Sequence, residues 1–333
     1  MKPSAAAESI AAKDLNNLYL TSRYFADPAK YTAFCSLYAL MRVVDDRVDE
    51  LSPRGELTAE ERVREHRIAD AWEEAFLTHI DGTAAVPADP ESFGREDAGE
   101  IVAAAADATH LFPVPCTLWR NFFAAMHRDL DQRPFSSWRD FLDYTEGASV
   151  APTTIYLYLI ASRREPTESC YALPAGFDLI GCGRKLGTFA YVAHILRDLA
   201  KDVAAGERGL LYLSLEDLQR YGLSPAELRE DSRAKRARPA LRRLVADLAQ
   251  RSRLLRDQGR VQLATLDGRL TPDCAFILEL IVRFYDAVLD KLESVDFDPM
   301  AGRHRLTIVE KARIARQVAR PLGFPLSSMM ASR

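Results

Sequence analysis

Residues 41–50, MRVVDDRVDE, place four carboxylates and two arginines in a segment whose other residues are apolar. Carboxylates one helical turn apart repel by roughly 0.2–0.5 kcal/mol. A helix carrying Asp45 and Asp49 therefore either spreads them over a solvated surface or offers them to something cationic. At about 100° per residue, Leu37, Met41, Val44 and Val48 line one narrow apolar stripe. Tyr38, Arg42, Asp45 and Asp49 form a second line, roughly 100° round from it. Asp46 and Glu50 lie further round still, where water can carry their charge.

A second segment, GTFAYVAHILRDLAKD (187–202), repeats the arrangement. Val192, Ile195, Leu196, Leu199 and Val203 make an apolar arc, with Gly187, Tyr191, His194, Asp198 and Asp202 along its edge. Arg197 and Lys201 are expected on the outer side. One D-x-x-x-D is weak evidence of chemistry. Two, each at the margin of an apolar stripe, suggest facing acids across a helical cavity. Magnesium suits such a place, because it prefers oxygen ligands, keeps several waters, and is commonly shared between carboxylates and substrate phosphates. The opposed pairs would repel unless divalent ions and a diphosphate lay between them, and an apolar cavity below would hold a hydrocarbon tail.

Most segments have helical spacing and are rich in Ala, Leu, Arg and Glu, so the chain reads as all-α. Its 333 residues, 48% hydrophobic, suffice for one large helical domain. Breaks fall at 51–56, 112–115, 162–168, 221–225 and 267–273, and a longer loop insertion is expected at 81–100. The expected organisation is an N-terminal extension over 1–16, the domain over 17–320 and a tail over 321–333. A net charge of −4 gives no reason to expect nucleic acid, and the basic run at 233–243 reads as a solvated helix face. Five scattered cysteines without C-x-x-C spacing speak against a disulfide framework or zinc site and fit a reducing cytoplasm. The first dozen residues lack the apolar core of a secretory signal, and no stretch approaches the roughly 18 apolar residues of a membrane span. Transient contact with a membrane surface stays compatible with greasy substrates, and the oligomeric state is open.

The residues also resemble a known family, the squalene/phytoene synthases, which join prenyl diphosphates head to head. LYALMRVVDDRVDE (37–50) is similar to its Y-A-x-x-R-x-x-D-D-x-x-D pattern at Tyr38, Ala39, Arg42, Asp45, Asp46 and Asp49. ILRDLAKDVAAGERGLLYLSLEDLQRYGLS (195–224) resembles its I-L-R-D-x-x-x-D segment with the Gly-Arg, Y-L and G-L elements that follow. Fainter likenesses are NLYLTSRYF (17–25), MHRDL (126–130), similar to M-x-x-D-L, and RLTIVEKARIARQ (305–317), in the place of a C-terminal basic helix. The resemblance implies a single-domain helical isoprenoid-synthase bundle with a central apolar cavity and magnesium as cofactor. By position, Asp45, Asp49, Asp198 and Asp202 would be the metal-bridging catalytic acids and Arg42 a diphosphate contact. Arg208 and Tyr212 would lie near the second motif. Tyr19, Tyr38 and Tyr191 either face the cation or are ordinary core or boundary aromatics. The implied reaction is ionisation of an allylic diphosphate and capture of the cation by a second prenyl diphosphate, with farnesyl diphosphate the expected substrate. The alternatives are a relative that ionises a single diphosphate and diverts the cation, or a non-catalytic binding or assembly protein.

The chain departs from the family pattern in three places. Where the family has Q-x-x-N before the second acid motif, this chain has Tyr191 and His194. Imidazole matches magnesium poorly, so His194 either donates to diphosphate or is an ordinary helix histidine. In FLDYTEGASVAPTT (141–154) the register puts Leu142 where a tyrosine is expected, with Tyr144 roughly 200° away on a regular helix unless Pro152 bends the segment. NADPH use is left open: no G-x-G-x-x-G follows a strand, and relatives that reduce their product lack that motif too.

Overall fold

The computed structural model describes residues 2–51, 57–82, 90–165, 167–204, 212–266 and 268–326. Its helices are α1 (Ala5–Ala12), α2 (Asn17–Ser22), α3 (Pro28–Leu51), α4 (Ala59–Ile80), α5 (Pro90–Phe93), α6 (Ala98–Leu111), α7 (Cys116–Asp131), α8 (Trp138–Thr145), α9 (Ala151–Ala161), α10 (Leu179–Ala204), α11 (Leu215–Arg220), α12 (Pro225–Ala234), α13 (Pro239–Leu263), α14 (Pro272–Ser294) and α15 (Ile308–Leu322). No strand occurs among the described residues; one isolated bridge joins Arg163 and Ala172. The all-α reading holds.

The boundaries follow ordinary capping chemistry. Asn16, Ser137 and Ser214 accept backbone N–H groups at the starts of α2, α8 and α11, and Thr58, Ser224 and Thr307 form reciprocal boxes with Glu61, Glu227 and Glu310. At the centre lies α9, whose residues from Thr154 to Ala161 are all buried. It touches α3, α7, α10 and α14, and α13 packs along α10. A helix apolar on all sides belongs in the middle of a bundle.

Two segments depart from expectation. The insertion placed at 81–100 returns to helix at Pro90, and Phe93 is buried edge-on against Trp72 at 5.1 Å before α6 begins at Ala98. The apolar anchor is a single residue, too little to register as periodicity. The N-terminal segment contributes α1, whose Ala7 and Ala11 are fully buried in the core, and α1 packs on α3.

Between α8 and α9 the chain makes one wide π-turn, Glu146–Val150. Such turns insert an extra residue into a helix and are frequent at functional sites. Here it is wedged between α7 and α10: a Cβ on Gly147 would sit 1.9 Å from the Asn121 carbonyl, and one on Gly187 would sit 3.0 Å from Val150 Cα. Ser149 donates to the Gly187 carbonyl at 2.9 Å. Glycine lets these backbones meet, and that contact fixes how α8 presents its side chains.

Candidate active site

The first acidic line keeps the phase read from the sequence. Leu37, Met41 and Val44 are buried, while Tyr38, Arg42 and Asp45 are partly covered and Asp49 is open at the rim. Tyr38 stacks on Phe34, with ring centroids 5.3 Å apart. Asp46 is not simply wet, as expected: it forms an ion pair with Arg42 at 2.6 Å and accepts from Lys13 Nζ at 2.6 Å. Arg42, expected to be a diphosphate contact, shares that Asp46 carboxylate with Lys13 and also lies in the field of Tyr38 and Asp45. The side chain of Glu50 lies outside what the structure describes.

The second line, on α10, stands across from the first. Asp49 is within electrostatic reach of His194 and Lys201, and Asp202 of Asp49. Burial and the Asp49 carboxylate push Asp45 up to about 7, with Arg42 opposing. Burial, Asp198 and Asp49 push Asp202 up to about 6, with Lys201 opposing. Asp49 is raised as well, first by the crowding of protein around it. Burial thus makes three of the four predicted acids hold a proton more tightly than a free carboxyl, Asp49 despite the cations of Lys201, His194 and Arg42 near it.

Asp198 is the exception. Arg197 grips it at 3.0 and 2.7 Å, His194 Nε2 lies 3.1 Å away, and Arg305 reaches it at 3.3 Å. Against the cost of burial, the bonds from His194 and Arg197 hold its carboxyl far below the ordinary range. Arg197 was expected on the outer side. Instead its side chain is only 15% exposed and turned along the helix onto Asp198, because a long arginine can bury its stem and still reach a neighbouring carboxylate.

Sequence reasoning missed the site's third wall. Asp129, near the end of α7, is half-buried, lies in the field of Asp45 and Asp49, and accepts a 2.8 Å hydrogen bond from the Tyr144 hydroxyl. Burial raises its carboxyl well above the usual value, and its Oδ1 has no hydrogen-bond partner. Tyr144 and Tyr191 bring their hydroxyls to 3.1 Å, and Tyr212 completes a cluster with ring centroids about 6 Å apart. Burial, then Asp129, keeps all three phenols protonated. The register that gave Leu142 the tyrosine position is corrected: Leu142 packs on the apolar core, and Tyr144 is the residue turned to the acids. MHRDL carried the missing signal as an acid ending an otherwise amphipathic helix.

Tyr19 is not brought to the acids. It is buried on α2 beside Tyr31, and Tyr31 precedes Asp45 by fourteen residues, about 21 Å of helix. Arg208 lies outside the described residues. Arg305 and Lys311, from the basic C-terminal segment, join Arg197 at the rim, where their charges lower the Lys311 amine after burial.

Two small clefts open beside these groups. One, of about 310 Å³, is lined by Val48, Asp49, Leu51, Asp129, Gln132 and Tyr212. The other, about 260 Å³ and mostly apolar, lies behind Tyr212 against Trp138, Phe141, Val192 and Leu196. Among the described residues no three acid, histidine or cysteine side chains converge to hold a metal unaided. The carboxyls of Asp45, Asp49 and Asp202 nevertheless fit a hard divalent ion that takes its remaining ligands from water and phosphate. No helix of the described residues is long and apolar enough to cross a membrane.

The architecture is that of the all-α isoprenoid synthases. A solved dehydrosqualene synthase, in complex with ligand, superposes with a TM-score of 0.72 at 20% identity, over 96% of each chain. Squalene synthase HpnC from Alicyclobacillus acidocaldarius gives 0.65 at 20% identity, over 88% of this chain and 94% of that one. YisP from Bacillus subtilis gives 0.60 at 14% identity, over 93% of both. A phytoene synthase of Thermus thermophilus is 33% identical over 149 residues, 42% of this chain and 47% of that protein, so the match spans about half the length of that relative. The family model described as Squalene/phytoene synthase matches residues 12–311. The chain belongs to the squalene/phytoene synthase family.

Proposed function

We propose that the chain is a magnesium-dependent prenyltransferase that condenses two prenyl diphosphates, farnesyl diphosphate first among candidates, head to head with release of diphosphate. The observation that carries this reading is that Asp45 on α3 and Asp202 on α10 are both raised, first by burial and then by neighbouring carboxylates, with Asp49 acting on each of them. That cost of charging them is relieved by divalent cations and is unhelpful to a fold that never meets them.

Bound magnesium would supply Lewis-acid stabilisation of the departing diphosphate, held by Asp45, Asp49 and Asp202. Arg197, Arg305 and Lys311 would receive the diphosphate oxygens, with Asp198 orienting the two arginines. The Tyr144, Tyr191 and Tyr212 rings would present their faces to the cation while excluding water. The prenyl tails would enter the apolar interior beside Phe34, Leu37, Met41 and Phe122, whose side chains must yield because the clefts at the acids are small. Tyr191 and His194, in place of the family's Gln and Asn, favour a second reading in which one diphosphate is ionised and its cation diverted.

The test is incubation with farnesyl diphosphate and magnesium, with and without NADPH, measuring diphosphate release and extracting the products. A thirty-carbon product supports the condensation and a fifteen-carbon product the second reading. Intact substrate would overturn both.

A further inference from the structure

We infer that the face formed by the start of α15 and the turn at Leu15 docks the chain onto an anionic phospholipid surface. Ile308 and Val309, adjacent at the helix start, are 63% and 74% exposed, and Leu15 is 54% exposed. Leu15 also holds a left-handed backbone with φ of 44°, a conformation that a branched side chain adopts at a cost. The two apolar points are tied together, since Lys311 donates to the Leu15 carbonyl at 3.3 Å. The opposite face of α15, with Ile314, Ala315, Val318 and Ala319, packs with Phe276, Leu280 and Phe284 of α14.

Charge identifies the partner. Residues 303–320 contain Arg303, Arg305, Lys311, Arg313, Arg316 and Arg320 against Glu310 alone, a net of 6 − 1 = +5 on a chain whose total is −4. Glu310 is already bonded to Lys291 at 3.0 Å and closes the helix cap. Val309, Arg313, Arg316 and Arg320 fall within about 60° of one another on the exposed side of α15. Arginines alone would suit any polyanion. Arginines in line with exposed Val309, with exposed Ile308 beside it at the helix start, suit a surface that is anionic outside and apolar beneath, as a phospholipid leaflet is. Arg305 meets Asp198 from this same segment, so the docked face adjoins the acids. A greasy product could then pass to the leaflet without crossing water; that purpose rests on the proposed function, whereas the docking does not.

The test is co-sedimentation of the full chain with vesicles, which is scored without turnover. Equimolar phosphatidylglycerol and phosphatidylcholine vesicles should bind it, and pure phosphatidylcholine should not. Arg313→Gln with Arg316→Gln should weaken binding about tenfold or more, and Ile308→Ser with Val309→Ser should also release the chain, circular dichroism staying unchanged in both. Soluble turnover in detergent should be unaffected. Failure to bind the anionic vesicles would overturn the inference. So would undiminished binding by the Ser pair, or equal capture by heparin and by vesicles insensitive to that pair, either of which would mean a generic polyanion site.

Discussion

The Tyr144 hydroxyl donates to Asp129 Oδ2 at 2.8 Å across the gap between α8 and α7, at a carboxyl whose other oxygen is buried without a partner. The bond places a tyrosine from the π-turn side of the bundle against an acid that senses Asp45 and Asp49. Removing the donor strands a buried acceptor, at about 1–3 kcal/mol. Tyr144→Phe is therefore expected to lower stability by that amount in urea unfolding. Asp129→Asn, which keeps the shape and neutralises a group already pushed toward its neutral form, should cost less.

Asp45 and Asp198 should respond differently to loss of charge. Asp45→Asn relieves repulsion with Asp49, so the fold should be no less stable while turnover falls on the order of a hundredfold or more. Asp198→Asn leaves Arg197, Arg305 and His194 without their shared carboxylate and should destabilise by about 1–3 kcal/mol. Thermal unfolding beside steady-state rates separates the two effects.

Metal binding should depend on pH with a definite sign. Folded Asp45 and Asp202 sit near 7 and 6, above the ordinary 3.8. Between about pH 4 and 7 the folded chain thus holds protons that the unfolded chain has lost. From these groups, the metal-free fold weakens as pH rises through about 6 and then 7. A divalent ion competes with those protons. Magnesium with inorganic pyrophosphate should accordingly raise the melting temperature more at pH 8 than at pH 6, as thermal-shift measurements would reveal.

Gly147→Ala tests the π-turn. Its Cβ would meet the Asn121 carbonyl at 1.9 Å, which is main chain and cannot swing aside. The substitution should cost at least about 1–3 kcal/mol and lower turnover by moving Tyr144. A calorimetric melt of the variant and its rate at a permissive temperature check both parts.

The helices and both acidic motifs were legible because period and spacing are local properties: Leu37, Met41 and Val44 announce a buried face within two turns. Where a long side chain goes once its helix is packed is not local. Arg197 was read as outward from its position on the helical wheel, yet it folds along α10 to Asp198, and Asp46 looked wet until Lys13 arrived from outside α3. Tyr144 was hidden because its register depends on the π-turn, whose cause is the contact of Gly147 with α7. Asp129 lay in a quoted motif, but only burial distinguishes it from a surface acid.

The central claim is that acids on α3 and α10 jointly hold a metal-bound diphosphate. Calorimetric titration of inorganic pyrophosphate into the chain, with and without magnesium, tests it most directly when repeated on Asp45→Asn and Asp202→Asn. Tight binding that requires magnesium and is lost in either variant is the predicted result. Binding that is indifferent to magnesium, or that survives both substitutions unchanged, would contradict it.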